Sequence, residues 1–294
     1  LILRTHGHLK RVALALVVVL CGLPLAMSSG HGSESNVTLP APVPPDHFSA
    51  AAGEELVYEV SWWIVKLGTI RMRVTGAGHD SGGTGGTGLS ARADIDTYDE
   101  LPFTSLHAVS ETVTDSAYNS LESLGLNQDG DAWRTLRYRY AHDHNALIVE
   151  RGTTSSREDR GFSPKNFDTL SIGPEYQDGL SIFYFARAHL KDGRQMTTPT
   201  VIEGRLGRTL FDFSGESSDE EIEAVDYPID VVRFSGTMEF SGIYGLTGPF
   251  EGWFSNDDAR VPIRANMEVM LGSVKIELVG WHRSGWSPPR RPED

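Results

Sequence analysis

Leu56-Val57-Tyr58-Glu59-Val60-Ser61-Trp62-Trp63 places apolar residues at every second position, and Ile70-Arg71-Met72-Arg73-Val74-Thr75 repeats the pattern shortly afterwards. Side chains of a strand point alternately to its two faces, so this period of two predicts half-buried strands. With a turn placed at Lys66 to Gly68, the two runs make a hairpin with one buried face. The alternation returns at 89–97, 106–113, 136–140, 146–150, 210–213, 231–240, 263–270 and 274–278. About a dozen short strands imply a mainly β protein, with an antiparallel curved sheet forming a sandwich or a partly open barrel.

One segment follows another period. Asp178 precedes Leu180, Phe183, Tyr184, Arg187 and Leu190, spaced by three and four. That spacing predicts a single helix over about 177–191, with Asp178 as N-cap and Gly193 as its stop. Such a helix packs on the sheet or plugs an open end of a barrel.

The chain of 294 residues is 39% hydrophobic and 22% charged, enough for a real core and unlike a disordered chain. Forty acidic residues against 26 basic give a net charge of −14, which argues against a nucleic-acid backbone or an anionic membrane face as partner. Arg4, Lys10 and Arg11 precede the apolar run Val12 to Leu20, then Pro24 and Ala26-Met27-Ser28. This is the grammar of a signal peptide over 1–28, too short for a stable span, so no transmembrane helix is expected in the mature chain. Cys21, the single cysteine, leaves with it. Leu20 before Cys21 is not the small residue a lipid-anchor signal needs, and no disulfide can form afterwards. Cleavage removes three basic residues and makes the mature chain more acidic still. Residues 29–47 read as a flexible lead and 283–294, with Pro288, Pro289 and Pro292, as a disordered tail around a single β-rich domain at 48–282.

Motifs for chemistry are sparse. Gly83-Thr84-Gly85-Gly86-Thr87-Gly88 fits a dinucleotide fingerprint in letters. It runs into an alternating strand instead of a helix, so we read it as a loop between strands. His142-Asp143-His144 lies in a polar tip without a third ligand nearby, so no metal site is assigned. No nucleophile elbow, zinc-binding helix motif or Walker loop occurs, and no cofactor is expected. Asp257 and Asp258 are adjacent, and in a turn an aspartate serves more often as a cap than as a catalyst.

Three segments together carry a resemblance. The first is Phe48 with Gly53-Glu54-Glu55-Leu56-Val57-Tyr58, followed by Lys66-Leu67-Gly68. The second is Gln177-Asp178-Gly179-Leu180-Ser181 through Tyr184 to Arg187. The third runs from Trp253 through Asp257, Arg260 and Pro262 to Gly272 and Leu278. In order and spacing the chain resembles the bacterial envelope family known as domain of unknown function 3108. The resemblance implies a secreted, mostly β protein with a signal peptide, for which no reaction is established. Gly179 and the glycine-rich stretch 76–88 depart from the pattern.

The motif residues also have physical readings. Gly53 and Glu54 mark a tight entry to the first strand, and Gly68 fits a hairpin position of positive φ. Pro262 suits a strand end, and Arg187 is free to pair with a carboxylate such as Asp257. Gly272 opens the closing strand.

Three functions are compatible with these features. The first is a non-enzymatic periplasmic or secreted binding or carrier module, with Tyr58, Trp62, Trp63, Tyr184 and Trp253 contacting a lipid or a glycan. Phe183 belongs to the same aromatic set, and simple core filling is the plain alternative for all of them. The second is a scaffold for an envelope assembly system with a protein partner. The third is a hydrolase using Asp257 or Asp258 against Glu54 or Asp178. We rank them in that order, with no catalytic residue assigned.

Overall fold

The computed structural model describes residues 48, 50–79, 88–101, 105–159, 161, 163–240, 248–268 and 272–292. The signal-peptide and lead readings and most of the glycine-rich loop lie outside the described residues.

The first alternating runs form β1 (Glu55–Trp62) and β2 (Val65–His79). A meander follows through β3 (Gly88–Thr97), β4 (His107–Thr114), β5 (Ser120–Asp129) and β6 (Ala132–Ala141). It ends in β7 (Ala146–Thr154) and β8 (Ser163–Ser171). Helix α1 (Ser181–His189) interrupts the strands. Then come β9 (Gln195–Ile202), β10 (Arg205–Asp212), β11 (Ser217–Glu220) and β12 (Ile229–Glu239). The last are β13 (Gly248–Ser255), β14 (Pro262–Glu268) and β15 (Ser273–His282). Strand β15 pairs with β1, so the fifteen strands among the described residues make one antiparallel sheet with β8 at one end and β9 at the other. The sheet curls without closing into a barrel.

The hairpin turn falls earlier than the sequence pattern suggested. Trp62 pairs with Val65, leaving Trp63 and Ile64 as a two-residue turn, while Lys66 and Gly68 belong to β2. Gly68 has no positive φ. It is required by the approach of β3, since a Cβ there would stand 2.2 Å from the carbonyl oxygen of Asp96. The positive φ sits on Trp63, at 56°.

Leu56, Tyr58, Val60, Ile70, Met72 and Val74 point inward and are buried. Their neighbours Arg71 and Arg73 face out and pair with Glu55 and, at 2.6 Å, Asp94. Arg92 continues this ladder to Asp94 and Glu111. Arg71 and Arg73 stay in contact with water, where single pairs contribute little, whereas Arg92 and Asp94 are themselves buried, with Glu158 of the β7–β8 connection on Arg92.

The far ends of the sheet approach each other. The N–H of Gly204, between β9 and β10, donates 2.7 Å to the hydroxyl of Tyr138 on β6. Residues Tyr176 and Gln177 bridge the gap nearby. The carbonyl of Tyr176 accepts from Ser120 N–H on β5, while Gln177 exchanges two backbone hydrogen bonds with Pro199 and Val201 on β9.

Helix α1 is shorter than expected because Asp178 and Gln177 belong to this extended strap. Eight of the nine helical residues are buried, more than a single face of a helix carries, and only Phe183 escapes full burial, because the helix lies inside the curl. Gly193 follows it at φ 64°, the left-handed conformation that ends such a segment. Residues 283–292, expected to trail away, run back across β12. Asp230 N–H donates to Pro289 and Arg291 N–H to Pro228, each at 2.8–2.9 Å.

Candidate binding site: an apolar slot under the helix

Between α1 and the sheet lies a cavity of about 80 Å3. Ile182, Phe183 and Ala186 of the helix form one wall. Tyr58, Ile70 and Met72 stand opposite from β1 and β2, with Ala265 and Met267 from β14. Phe211, Phe234, Phe250 and Phe254 with Met238 complete it from β10, β12 and β13. Three of the six methionines of the chain therefore line one small space. Methionine is unbranched and adapts its shape easily, so these walls yield more readily than leucine or isoleucine would.

Two glycines make room for the aromatic wall. A Cβ on Gly252 would come within 2.3 Å of the Phe234 ring, and one on Gly236 within 2.3 Å of the Phe250 ring. Each ring thus lies over a neighbouring strand's bare backbone. The rings then meet edge to face, Phe234 with Phe254 at 4.8 Å and Phe211 with Phe250 at 5.7 Å. These are favourable aromatic geometries.

A buried ionic cluster holds the C-terminal end of α1. Arg187 donates to Glu54 at 2.6 and 3.0 Å, and to the carbonyls of Ala259 and Arg260 at 2.9 and 3.1 Å. Both side chains are almost wholly buried. Arg283 also reaches Glu54. Burial alone would raise the Glu54 carboxyl, but Arg187 and Arg283 outweigh it and hold the group below its ordinary value. Arg260 returns the contact, donating to the carbonyls of Arg187 and Ala188 at 3.1 and 2.7 Å. It supplies the cation that the end of a helix favours.

The expected Arg187–Asp257 pair does not form. Asp257 instead accepts from Ser255 Oγ and from the N–H groups of Ala259 and Arg260, at 2.7–3.0 Å. Its other oxygen accepts from the Trp286 indole at 2.7 Å. The turn's own N–H groups are nearest and saturate the carboxylate, so Arg187 finds the buried carboxylate of Glu54.

A neutral-donor cluster holds the other end. Asp178 accepts from Leu180 and Ser181 N–H at 2.7 and 2.9 Å, and from the hydroxyls of Thr112 and Ser120, both at 2.6 Å. The Ser181 hydroxyl donates to Gln177, whose amide donates to Asn119. The aspartate caps the helix start from outside it and fastens the strap to β4 and β5.

The five aromatics singled out from sequence are dispersed. Tyr58 lines the slot, its hydroxyl donating 3.1 Å to the carbonyl of Pro262, the first residue of β14. Trp62 is half-buried at the end of β1, and Trp63 stands in the exposed turn. Tyr184 is buried beside Arg187, whose guanidinium lies 5.6 Å from its ring centre. Trp253 is buried in register with Arg233 and Arg264, away from the slot. Phe183 does line it. Gly53, at φ 77°, turns the chain so that Glu54 enters the core. Gly272 has φ 86°. Sequence reasoning did not bring Phe211, Phe234, Met238, Phe250 and Phe254 to the site: the alternation of β10 and β12 was visible without showing what they face, and in β13 Gly248, Pro249 and Gly252 blur it.

Among the described residues, no three His, Cys, Asp or Glu side chains gather as a metal ion would need, and no helix is long and apolar enough to cross a membrane.

The profile of the family described as "Protein of unknown function (DUF3108)" matches residues 57–279. Among solved structures, a β-barrel-like protein of domain of unknown function DUF1849 from Brucella abortus aligns with a TM-score of 0.53 and 12% identity. The alignment covers 79% of this chain and 98% of that one. At such identity the likeness concerns the fold alone. A protein of YmcC-like fold from Bacteroides fragilis aligns over 80% of this chain and 98% of its own, with 9% identity and a TM-score of 0.31, too low to argue from. No curated protein matches the sequence.

Proposed function

The chain belongs to the DUF3108 family, and on that footing we propose that it is a non-enzymatic protein of the bacterial envelope that holds a slender apolar chain, such as a fatty acyl group, in the slot under α1. The observation that carries this reading is the wall of three methionines and five phenylalanines around a space at the centre of the curl. A glycan would need polar partners along the walls, and although Glu251, Arg264 and Asn266 belong to the lining, the surface turned to the slot is almost wholly apolar. Ligand sites commonly occupy about 300–1,000 Å3, so the 80 Å3 present must widen, and flexible methionines allow it. Export rests on the basic and apolar N-terminal sequence. The non-enzymatic reading is supported by the carboxylates: Glu54, Asp178 and Asp257 are each saturated by structural partners.

The small volume favours a second reading, a scaffold whose core is simply filled. Uptake of a fluorescent long-chain fatty acid separates the two. Saturable binding that disappears in Ala265→Phe, with the melting temperature kept, supports the carrier. No uptake by the wild-type protein overturns it.

A further inference from the structure

The turn between β1 and β2 is built against the usual rules. Its first residue has positive φ, a position ordinarily given to glycine, and here it is Trp63. Its second is Ile64. Trp63 is 76% exposed and Ile64 96%, the two most exposed large apolar side chains among the described residues. Folding would favour glycine or asparagine at the first position and solubility would favour a polar residue at both. Neither explains this pair.

The tip is also held in place. The Trp63 ring stacks on Trp62 at 5.8 Å, and its indole nitrogen lies where a Cβ on Gly272 would come within 2.7 Å. Gly272, at the start of the closing hairpin arm, thus leaves room for the indole. Trp62 pairs with Val274 and Val274 with Met267, one of the methionines of the slot. The exposed tip therefore continues the row of inward residues that ends in the slot wall.

We propose that the Trp63–Ile64 turn is a membrane-docking tip that inserts into the interface of a zwitterionic lipid bilayer and presents this end of the slot to it. Two side chains offer at most about 400 Å2, well below the roughly 800 Å2 per partner of a stable protein interface. Shallow insertion beside lipid headgroups needs no such area, and an indole with one apolar and one polar edge fits that layer. The choice of a zwitterionic surface follows from charge. Lys66, the nearest cation along the chain, is tied to Glu59 at 2.9 Å and Glu223 at 3.3 Å, and the protein as a whole is strongly acidic. Docking stands without a ligand in the slot; only the delivery of an acyl chain rests on the carrier reading.

The test is co-sedimentation of the full chain with phosphatidylcholine vesicles, together with quenching of its tryptophan fluorescence by bromine-labelled lipid. Wild-type protein should bind and be quenched. Trp63→Gly suits the backbone of the turn and keeps the fold, so it should weaken binding about tenfold with an unchanged or higher melting temperature. Ile64→Ser should weaken it less. Ala265→Phe, which fills the slot, should dock like wild type while losing fatty-acid uptake, so failure of docking and failure of the slot are seen separately. Absence of vesicle binding by wild type, or equal binding by Trp63→Gly/Ile64→Ser, overturns the proposal. Binding only to anionic vesicles also overturns it.

Discussion

Replacing Arg187 by methionine keeps the length and helical preference of the side chain and removes only its charge and donors. Glu54 would then retain Arg283, whose side chain is 16% exposed, as its cation. Removing one partner of a buried pair costs about 3–5 kcal/mol, and the surviving Arg283 contact places this case near 3. The carbonyls of Ala259 and Arg260 each lose a donor, at about 1 kcal/mol apiece. The expected loss is about 5 kcal/mol, a large part of the 5–15 kcal/mol typical of a folded protein. Adding Glu54→Gln should return about 2 kcal/mol, because the stranded charge is gone. Urea unfolding followed by tryptophan fluorescence gives each value, and a double-mutant cycle compares partners. Coupling of Arg187 should exceed about 2 kcal/mol with Glu54 and be much smaller with Asp257, probed by Asp257→Asn. A loss under about 1 kcal/mol for Arg187→Met, or stronger coupling to Asp257, would refute the reasoning. The pH dependence has a defined sign. The folded Glu54 carboxyl lies below its ordinary 4.5, so its contribution is full above that value and is lost as pH falls through the lowered one.

Glu203, 7% exposed in the β9–β10 turn with one carboxylate oxygen lacking a partner, is pushed up to about 7 by burial against the pull of Arg205. The folded state holds its proton more tightly than the unfolded chain, so the penalty is absent below about 4.5, grows between 4.5 and 7, and is complete above. Glu203→Gln should therefore raise stability by about 2–3 kcal/mol at pH 8 and leave it unchanged at pH 4, read as melting temperatures at the two values. Gly252→Ala should cost about 1–3 kcal/mol because the Phe234 ring must move, which calorimetry will show; a neutral outcome would mean that the ring does not lie over that strand. Asp178→Ala strands two hydroxyls and two N–H groups and should cost about 3 kcal/mol, with faster amide exchange at Ser120 and Val201 along the seam.

The parts of this protein that were legible in its sequence are those governed by neighbours along the chain. Alternation at Leu56–Trp62 and Ile70–Val74 reports a sheet with one wet face, because strand geometry is local. The spacing from Leu180 to Leu190 reports a helix for the same reason, and Asp178 does cap its start. Glu54 and Arg187 are 133 residues apart, and nothing local selects one carboxylate over forty acidic residues as the partner. The hairpin turn was misplaced because Lys66-Leu67-Gly68 contains the expected glycine, whereas the left-handed residue is a tryptophan. The slot was not legible because its wall joins β1 and β2 to residues of α1, β10, β12, β13 and β14 more than a hundred positions later in the chain, and β13, with Gly248 and Gly252 in it, shows no clear alternation.

The two polar clusters determine how the slot can open. A helix leaves unpaired N–H groups at one end and carbonyls at the other, and in a nine-residue helix these lie close to every position. Asp178 serves the first end and is fastened to Thr112 and Ser120 of β4 and β5, while Arg260, in the β13–β14 turn, serves the second. Ile182, Phe183 and Ala186 lie between these anchors and meet the slot only through apolar contacts. Lifting α1 would break the ionic cluster, whereas turning methionine side chains breaks nothing directional. Entry of an acyl chain should therefore shift the methyl signals of Met72, Met238 and Met267 while Met196, outside the slot, serves as the unmoved control. Amide protection along α1 should persist or rise. If loading instead accelerated exchange in α1, the helix would be acting as a hinged lid, and the view of two fixed ends around an adaptable middle would fail.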